Sequence, residues 1–416
     1  MKRFLLPILL ALFCLPTLPA LAEDELVIVH ATDMHYLSPS LTDYGEGFMS
    51  VIERADGKMT HYTPQLMQAF VDDMLALQPD AIILSGDLTL NGAVESHAGL
   101  TALLQPLLDA GIRLLALPGN HDAGSAAYRF DGEYVYWAEA MTDEGFDDMY
   151  LPFGYQEAFS RDAASQSYVS QLAPQVWCLL VDTNANGTAG TVHAETLAWI
   201  EAQLIRAQEQ GVTVISVTHQ PALLHNRLFT FGYVINNSSS LLALYEQYGV
   251  SLNLCGHLHM QHIAQEGGMV EIAGSSLAVS PNQYGVLRME GTRLLDYETR
   301  PVDVSGRAAR TGQTDPTLTD FAACSAAFFD QTTRTQLASM FEGSDLTPEQ
   351  QSQMTEFAVQ LNAEYFSGRR TLTAEDERWV LWETHLPGGF FTRYMGSILM
   401  EEAQDMTRFS FAGREQ

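Results

Sequence analysis

Positive charge is scarce in this chain: 21 Lys and Arg stand against 51 Asp and Glu, a formal net charge of −30 at pH 7. A surface of that sign repels polyanions. It excludes long nucleic acid as a partner but leaves small phosphorylated ligands open wherever metal ions dominate locally. Cysteine is scarcer still, at four residues. Cys14 lies in the extreme N-terminal segment, while Cys178 and Cys255 sit inside apolar runs, so buried free thiols are expected in place of a disulfide framework. After residue 22 no apolar run is long enough to span a membrane, and there is no internal repeat or low-complexity tract.

The N-terminal segment is the exception. Lys2 and Arg3 precede the apolar run from Phe4 to Leu21, and Ala20-Leu21-Ala22 offers the small residues a signal peptidase needs. Residues 1–22 therefore read as a signal peptide, placing the protein outside the cytoplasm or in the medium. If the segment stayed uncleaved it would act as a membrane anchor, although Pro7, Pro16 and Pro19 interrupt it. Its removal takes away two basic residues and leaves a net charge of about −32. A hydrophobic share of 46% with 17% charged residues is ordinary for a globular chain with a sizeable core.

From Leu26 to about Arg300, short apolar runs alternate with helical stretches, the pattern of a layered α/β architecture. Strands are expected at 26–31, 81–85, 112–117, 176–181, 212–217 and 251–255, each apolar enough to be buried on both faces. Helices are expected over 64–78, with Leu66, Phe70, Met74 and Leu77 on one stripe, and over 196–210, with Leu197, Ile200, Leu204 and Ala207. Residues 36–63 form a long insertion after the first strand and are a candidate wall of the active site.

Near Pro301 the pattern changes. Residues 303–314, polar and carrying Gly306 and Gly312, read as a linker between a main domain at 23–302 and a helical domain at 315–416. In that domain Thr347-Pro348-Glu349-Gln350 carries a capping-box signature, followed by Met354, Phe357, Leu361 and Tyr365 on one stripe. Thr373 is a candidate cap for a second helix through Trp379 and Trp382. Whether this domain covers the site, dimerises or only stabilises is open, as is the oligomeric state.

The chemistry collects where the strands end. Asp33-Met34-His35 follows the first, Gly86-Asp87 the second and Gly119-Asn120-His121-Asp122 the third. His219 follows the fifth, and Gly256-His257-Leu258-His259 the sixth. The C-terminal edge of an α/β sheet is where ligands bind. Carboxylate, imidazole and amide donors together suit Mn, Fe or Zn, and they exceed the needs of one ion. A pair of ions sharing a carboxylate accommodates them. Two residues apart at a strand end, Asp33 and His35 are expected on one side, as are His257 and His259. His30 is expected to be a packed core residue, His61 to lie in a solvated loop, and His225 with Asn226 to be within reach of substrate.

This series resembles the calcineurin-like metallophosphoesterases over residues 26 to about 300. The resemblance implies a four-layer α/β/β/α sandwich with a small C-terminal α-helical domain added, and a centre of two divalent or mixed-valence transition metal ions, Mn, Fe or Zn. It implies that Asp33, His35 and His259 hold one ion, that Asn120, His219 and His257 hold the other, and that Asp87 bridges them. His121 then stands outside the metal shell as the proton donor to the leaving group, with Asp122 as its orienting partner. Within the family, Gly86-Asp87-Leu88-Thr89-Leu90-Asn91-Gly92 and Asp182-Thr183 are similar to class III cyclic-nucleotide phosphodiesterases. Leu90 stands where purple acid phosphatases carry a ligand tyrosine, which disfavours that branch. The implied activity is hydrolysis of a small phosphodiester, a 3′,5′-cyclic nucleotide foremost. The competing readings are a broad phosphomonoesterase or nucleotidase, and a metal-stabilised cell-surface binding protein.

Overall fold

The computed structural model describes residues 25–412, so the expected signal segment at 1–22 lies outside the described residues. All six expected strands form, with ends shifted by a residue or two, and they divide between two sheets. The first sheet has the spatial order Arg408–Ser410, Arg293–Pro301, Gln283–Glu290, Glu25–Ala31, Ala81–Leu84, Arg113–Ala116. Its last three strands run parallel, while Gln283–Glu290 pairs antiparallel to Glu25–Ala31. The second has the order His262–Glu266, Met269–Ala273, Leu252–Cys255, Thr213–Thr218, Val176–Val181, Tyr168–Ala173, Ser160–Arg161.

The strand Val176–Val181 shows why the sheets stack. Val176, Cys178 and Leu180 point into the core shared with the first sheet, alongside Ile28, Ile82 and Leu115. Trp177, Leu179 and Val181 point the other way, against Ile200 and Leu204 of helix Ala194–Gln210 and Leu241 and Tyr245 of helix Ser238–Tyr248. On the far side, Leu66, Phe70 and Met74 of helix Thr63–Leu77 and Leu100, Leu104 and Leu107 of helix Val94–Asp109 cover the first sheet. Period-two alternation thus buries both faces of each central strand, and the four layers α/β/β/α follow.

The stretch expected as a linker is corrected by the structure. Asp303 caps a helix, Val304–Thr311, its carboxylate accepting the Gly306 N–H at 2.8 Å. Val304 and Ala308 reach into the main core, and Arg307 pairs with Asp72 of helix Thr63–Leu77. The polar face that suggested a linker is the solvent side of an amphipathic helix.

Beyond it lie the helices Phe321–Phe341, Pro348–Ser367, Glu377–His385 and Phe390–Leu399. The Thr347–Gln350 capping box is present, and Met354, Phe357, Leu361 and Tyr365 are all buried. Asp376, not Thr373, caps the helix that carries Trp379 and Trp382. The region is not wholly helical: the chain returns as the strand Arg408–Ser410, Phe409 facing Tyr297 on the edge of the first sheet. The module's aromatic core continues into Cys255, Leu258, Met260 and Ala273 of the second sheet's end. None of the described helices is long and apolar enough to cross a membrane.

Trp382 is 0% exposed, and its Nε1–H donates to the Met354 carbonyl at 3.0 Å. Trp382→Ala opens a cavity and removes the indole hydrogen bond, so a loss of about 3–5 kcal/mol is expected in chemical unfolding. A loss under about 1 kcal/mol would show that the module's core is not close-packed.

Candidate metal centre

Five strands of the core stop against turns that bring their polar side chains toward one point. The first ends at Ala31, and Asp33 and His35 then both take left-handed backbones, with φ of 51° and 43°. They converge through these turns and not through strand alternation, which corrects the simple geometric expectation. Asp87, His257 and His259 are left-handed too, at 48°, 68° and 59°. Five non-glycine residues in that region within one cluster mark strain that the surrounding fold holds in place.

The approach is equally tight. A Cβ on Gly119 would collide with the backbone nitrogen and Oδ1 of Asp87. Only glycine lets the third strand's turn lie against the carboxylate of the second.

Two overlapping groups of donor atoms result: Asp33, His35, Asp87 and His259, and Asp87, His219 and His257. Asp87 belongs to both and is 1% exposed. His259 Nε2 lies 3.3 Å from Asp33 Oδ1 and 3.0 Å from His35 Nε2, while His219 Nε2 lies 3.3 Å from Asp87 Oδ2 and 3.2 Å from Asn120 Oδ1.

The far side of each ring decides which nitrogen is free. His219 Nδ1–H donates to the Ser85 carbonyl at 2.9 Å, and His257 Nε2–H to the Gly232 carbonyl at 2.9 Å. His259 Nδ1 faces Asp56 Oδ2 at 2.8 Å. Carbonyls and carboxylates only accept, so these rings turn the lone pair of their other nitrogen into the cluster.

The set fits divalent cations. Asp33 Oδ1 is buried and without a hydrogen-bond partner, facing the ring nitrogens of His35 and His259. Burial alone would lower His219 and His259, yet Asp87 and Asp33 raise the first to about 9, and Asp56 and Asp33 raise the second to about 9 despite Lys58. A pocket of carboxylates this buried calls for positive charge, and its N/O donor set is one that Mn, Fe or Zn accept.

Residues 26–261 match the calcineurin-like phosphoesterase family, and residues 303–405 match the C-terminal domain of cyclic nucleotide phosphodiesterase. The chain belongs to the calcineurin-like phosphoesterases. A relative from Ruthia magnifica subsp. Calyptogena magnifica, named a probable cyclic nucleotide phosphodiesterase, is 31% identical over 86 residues, 21% of this chain. The chain spans only 34% of that relative's length. Among solved structures, a dimetal phosphatase from Danio rerio has a TM-score of 0.48 at 13% identity, over 66% of this chain and 95% of its own. The purple acid phosphatase PPD1 of yellow lupin (Lupinus luteus) has a TM-score of 0.43 at 14% identity, over 67% and 52%.

This phosphoesterase places the remaining expected residues as follows. His121 stands at the rim, its side chain 40% exposed, with Nδ1–H donating to the Leu90 carbonyl at 2.8 Å and Nε2 3.9 Å from Asp87 Oδ2. Asp122 does not orient it. The Asp122 carboxylate is fully buried and accepts from the backbone N–H groups of Leu88, Thr89 and Gly119 at 2.8–3.0 Å and from the Thr89 hydroxyl. Burial and the nearby Asp87 raise its pKa to about 6, despite those N–H groups. Asp122 thus ties two strand-end turns together, and the partner of His121 is a carbonyl.

His225 points away from the centre, between Glu271 Oε1 at 3.1 Å and His262 at 3.0 Å. Asn226 donates to the Tyr365 hydroxyl. His61 is packed between Tyr62 and Phe328 and is not a solvated loop residue. His30 is buried against Ser85, as a core residue.

Sequence reasoning missed Asp56 and Lys58. Both lie in the insertion at 36–63, and Lys58 Nζ sits 3.1 Å from Asp56 Oδ1. Burial would raise the Asp56 carboxyl, but Lys58 and His259 hold it well below the usual range. Only the surplus length of the insertion hinted at such a role.

Asp56→Ala removes the group that orients His259 and is expected to weaken metal binding about 10- to 100-fold, read by metal titration, with the fold retained. Unchanged affinity would mean that Asp56 is not a positioning residue. Gly119→Ala, which pushes Asp87 aside, is expected to abolish metal retention after gel filtration; full metal content would disprove the shared role of Asp87.

Proposed function

We propose that this phosphoesterase is an exported phosphodiesterase that cleaves 3′,5′-cyclic nucleotides with two transition-metal ions. The observation that carries the reading is the pairing of two donor groups that share Asp87 with a helical region matching the C-terminal domain of cyclic nucleotide phosphodiesterase. Export rests on Lys2, Arg3 and the apolar run before Ala22.

Asp33, His35 and His259 would hold one ion, Asn120, His219 and His257 the other, and Asp87 both. Bound there, two divalent ions would supply Lewis acidity, activating water as a nucleophile and neutralising charge on the phosphate oxygens. The residues supply orientation and the proton. Ser85, Gly232 and Asp56 fix the rings of His219, His257 and His259 through their outer nitrogens. His121 keeps its Nδ1–H on the Leu90 carbonyl, so that when protonated it presents Nε2–H to the site. It donates that proton to the departing ribose oxygen. No covalent nucleophile is required.

The test is the Mn-loaded protein against bis-p-nitrophenyl phosphate, p-nitrophenyl phosphate and 3′,5′-cyclic nucleotides in parallel. Diester cleavage with preference for cyclic nucleotides is expected. Hydrolysis of the monoester alone would replace the reading with a phosphomonoesterase, and no hydrolysis would favour a metal-stabilised binding protein. His121→Ala should keep its metal and lose about 10²- to 10⁴-fold in turnover of substrates with poor leaving groups. An unchanged rate on those substrates would remove His121 as the acid.

A further inference from the structure

Between the helical module and the metal centre lies a cleft of about 160 Å³ with walls of Phe229, Phe329, Phe366, Phe391 and Tyr394. A site that encloses a whole drug-sized ligand is larger, roughly 300 Å³ or more. This one has room for a single flat ring system between aromatic faces.

Its polar groups are few and placed. Asn362 is fixed by the Tyr394 hydroxyl, which donates to its Oδ1 at 2.7 Å, and by its own Nδ2–H donating to Thr333 Oγ1 at 3.1 Å. That leaves its second Nδ2 hydrogen to offer. Gln336 lines the same cleft and is exposed on helix Phe321–Phe341. A neutral heterocycle with hydrogen-bonding edges suits such walls.

The cleft also touches the metal centre through two separate segments. Asp56 lines it, and its carboxylate orients His259. Phe229 lines it and stacks on Tyr233 at 4.8 Å, next to Gly232, whose carbonyl orients His257. A ring seated in the cleft therefore stands one side chain away from the His257-x-His259 pair, leaving the sugar and phosphate to extend toward the ions.

We propose that this cleft seats the nucleobase of the substrate, so that the C-terminal helical module selects nucleosidic substrates for the metal centre. The inference rests on the cyclic-nucleotide reading and assigns its specificity to named residues: Phe229 and Phe391 for stacking, Asn362 and Gln336 for the ring edge.

Calorimetric titration of the full chain, metal-loaded, with adenosine and with guanosine tests it. Saturable binding of at least one nucleoside is expected. It should weaken about tenfold or more in Phe229→Ala and in Gln336→Trp, whose indole fills the cleft from the exposed face of its helix. Both variants are checked for wild-type metal content and unfolding midpoint, and Gln336→Trp decides the matter if Phe229→Ala loosens the fold. Binding that Gln336→Trp leaves unchanged, or no binding of either nucleoside, overturns the proposal. The two readings fail separately: a protein that binds nucleosides in the cleft but hydrolyses only phosphomonoesters supports the cleft and refutes the diesterase.

Discussion

Asp87 holds a negative charge where solvent does not reach, and the site end of the sandwich is arranged around that cost. A buried carboxylate is tolerated only when other groups compensate it. Here the His121 backbone N–H donates to one oxygen at 2.8 Å, and His219, His35 and His121 ring nitrogens stand 3.3–3.9 Å from the other. Burial would raise its pKa, but His219, His121 and His35 keep it well below the ordinary value. The glycines that let turns crowd around it, the left-handed backbones and the buried tether of Asp122 all serve to bring compensating groups to this one oxygen pair.

The helical module takes part in this arrangement. Gly57, at φ +85°, brings the Asp56–Lys58 turn so close to helix Phe321–Phe341 that a Cβ would lie 2.6 Å from the Phe329 ring. On the other side, Asn226 accepts from the Ser397 hydroxyl and donates to the Tyr365 hydroxyl, while His262 bridges His225 to Glu401. The two segments that orient His259 and His257 are thus both braced by the module. Supporting partners of metal ligands set ring orientation and basicity, so geometry at the candidate metal site depends on packing in a region outside both donor groups.

Much of this was legible from the residues. Strands buried on both faces announce themselves as apolar β-branched runs, and the polar residues after them need no knowledge of the fold to be grouped. The capping box at Thr347 is a local signal, and it forms where its residues predict. What failed was non-local. Residues 303–314 look like a linker because the half of the helix that touches Asp72 and the main core is short and interrupted by charge. Asp122 looks like a partner of His121 because they are adjacent, yet adjacent side chains point apart and each finds a distant group. Asp56 carries no pattern at all, since its role depends on where a long insertion folds back.

The strand Arg408–Ser410 lies in the same sheet as Glu25–Ala31, far from it in the sequence. Glu25–Ala31 itself waits for Gln283–Glu290 before its second edge is paired. Pairings between such remote segments incur the entropy of closing large loops before they gain contacts. The first sheet therefore cannot be completed before residue 410 has been made. The second sheet, whose strands lie within residues 160–273, can pair before that, so folding has a direction: one half of the sandwich offers a template, and the other closes onto it once the strand Arg408–Ser410 is in place.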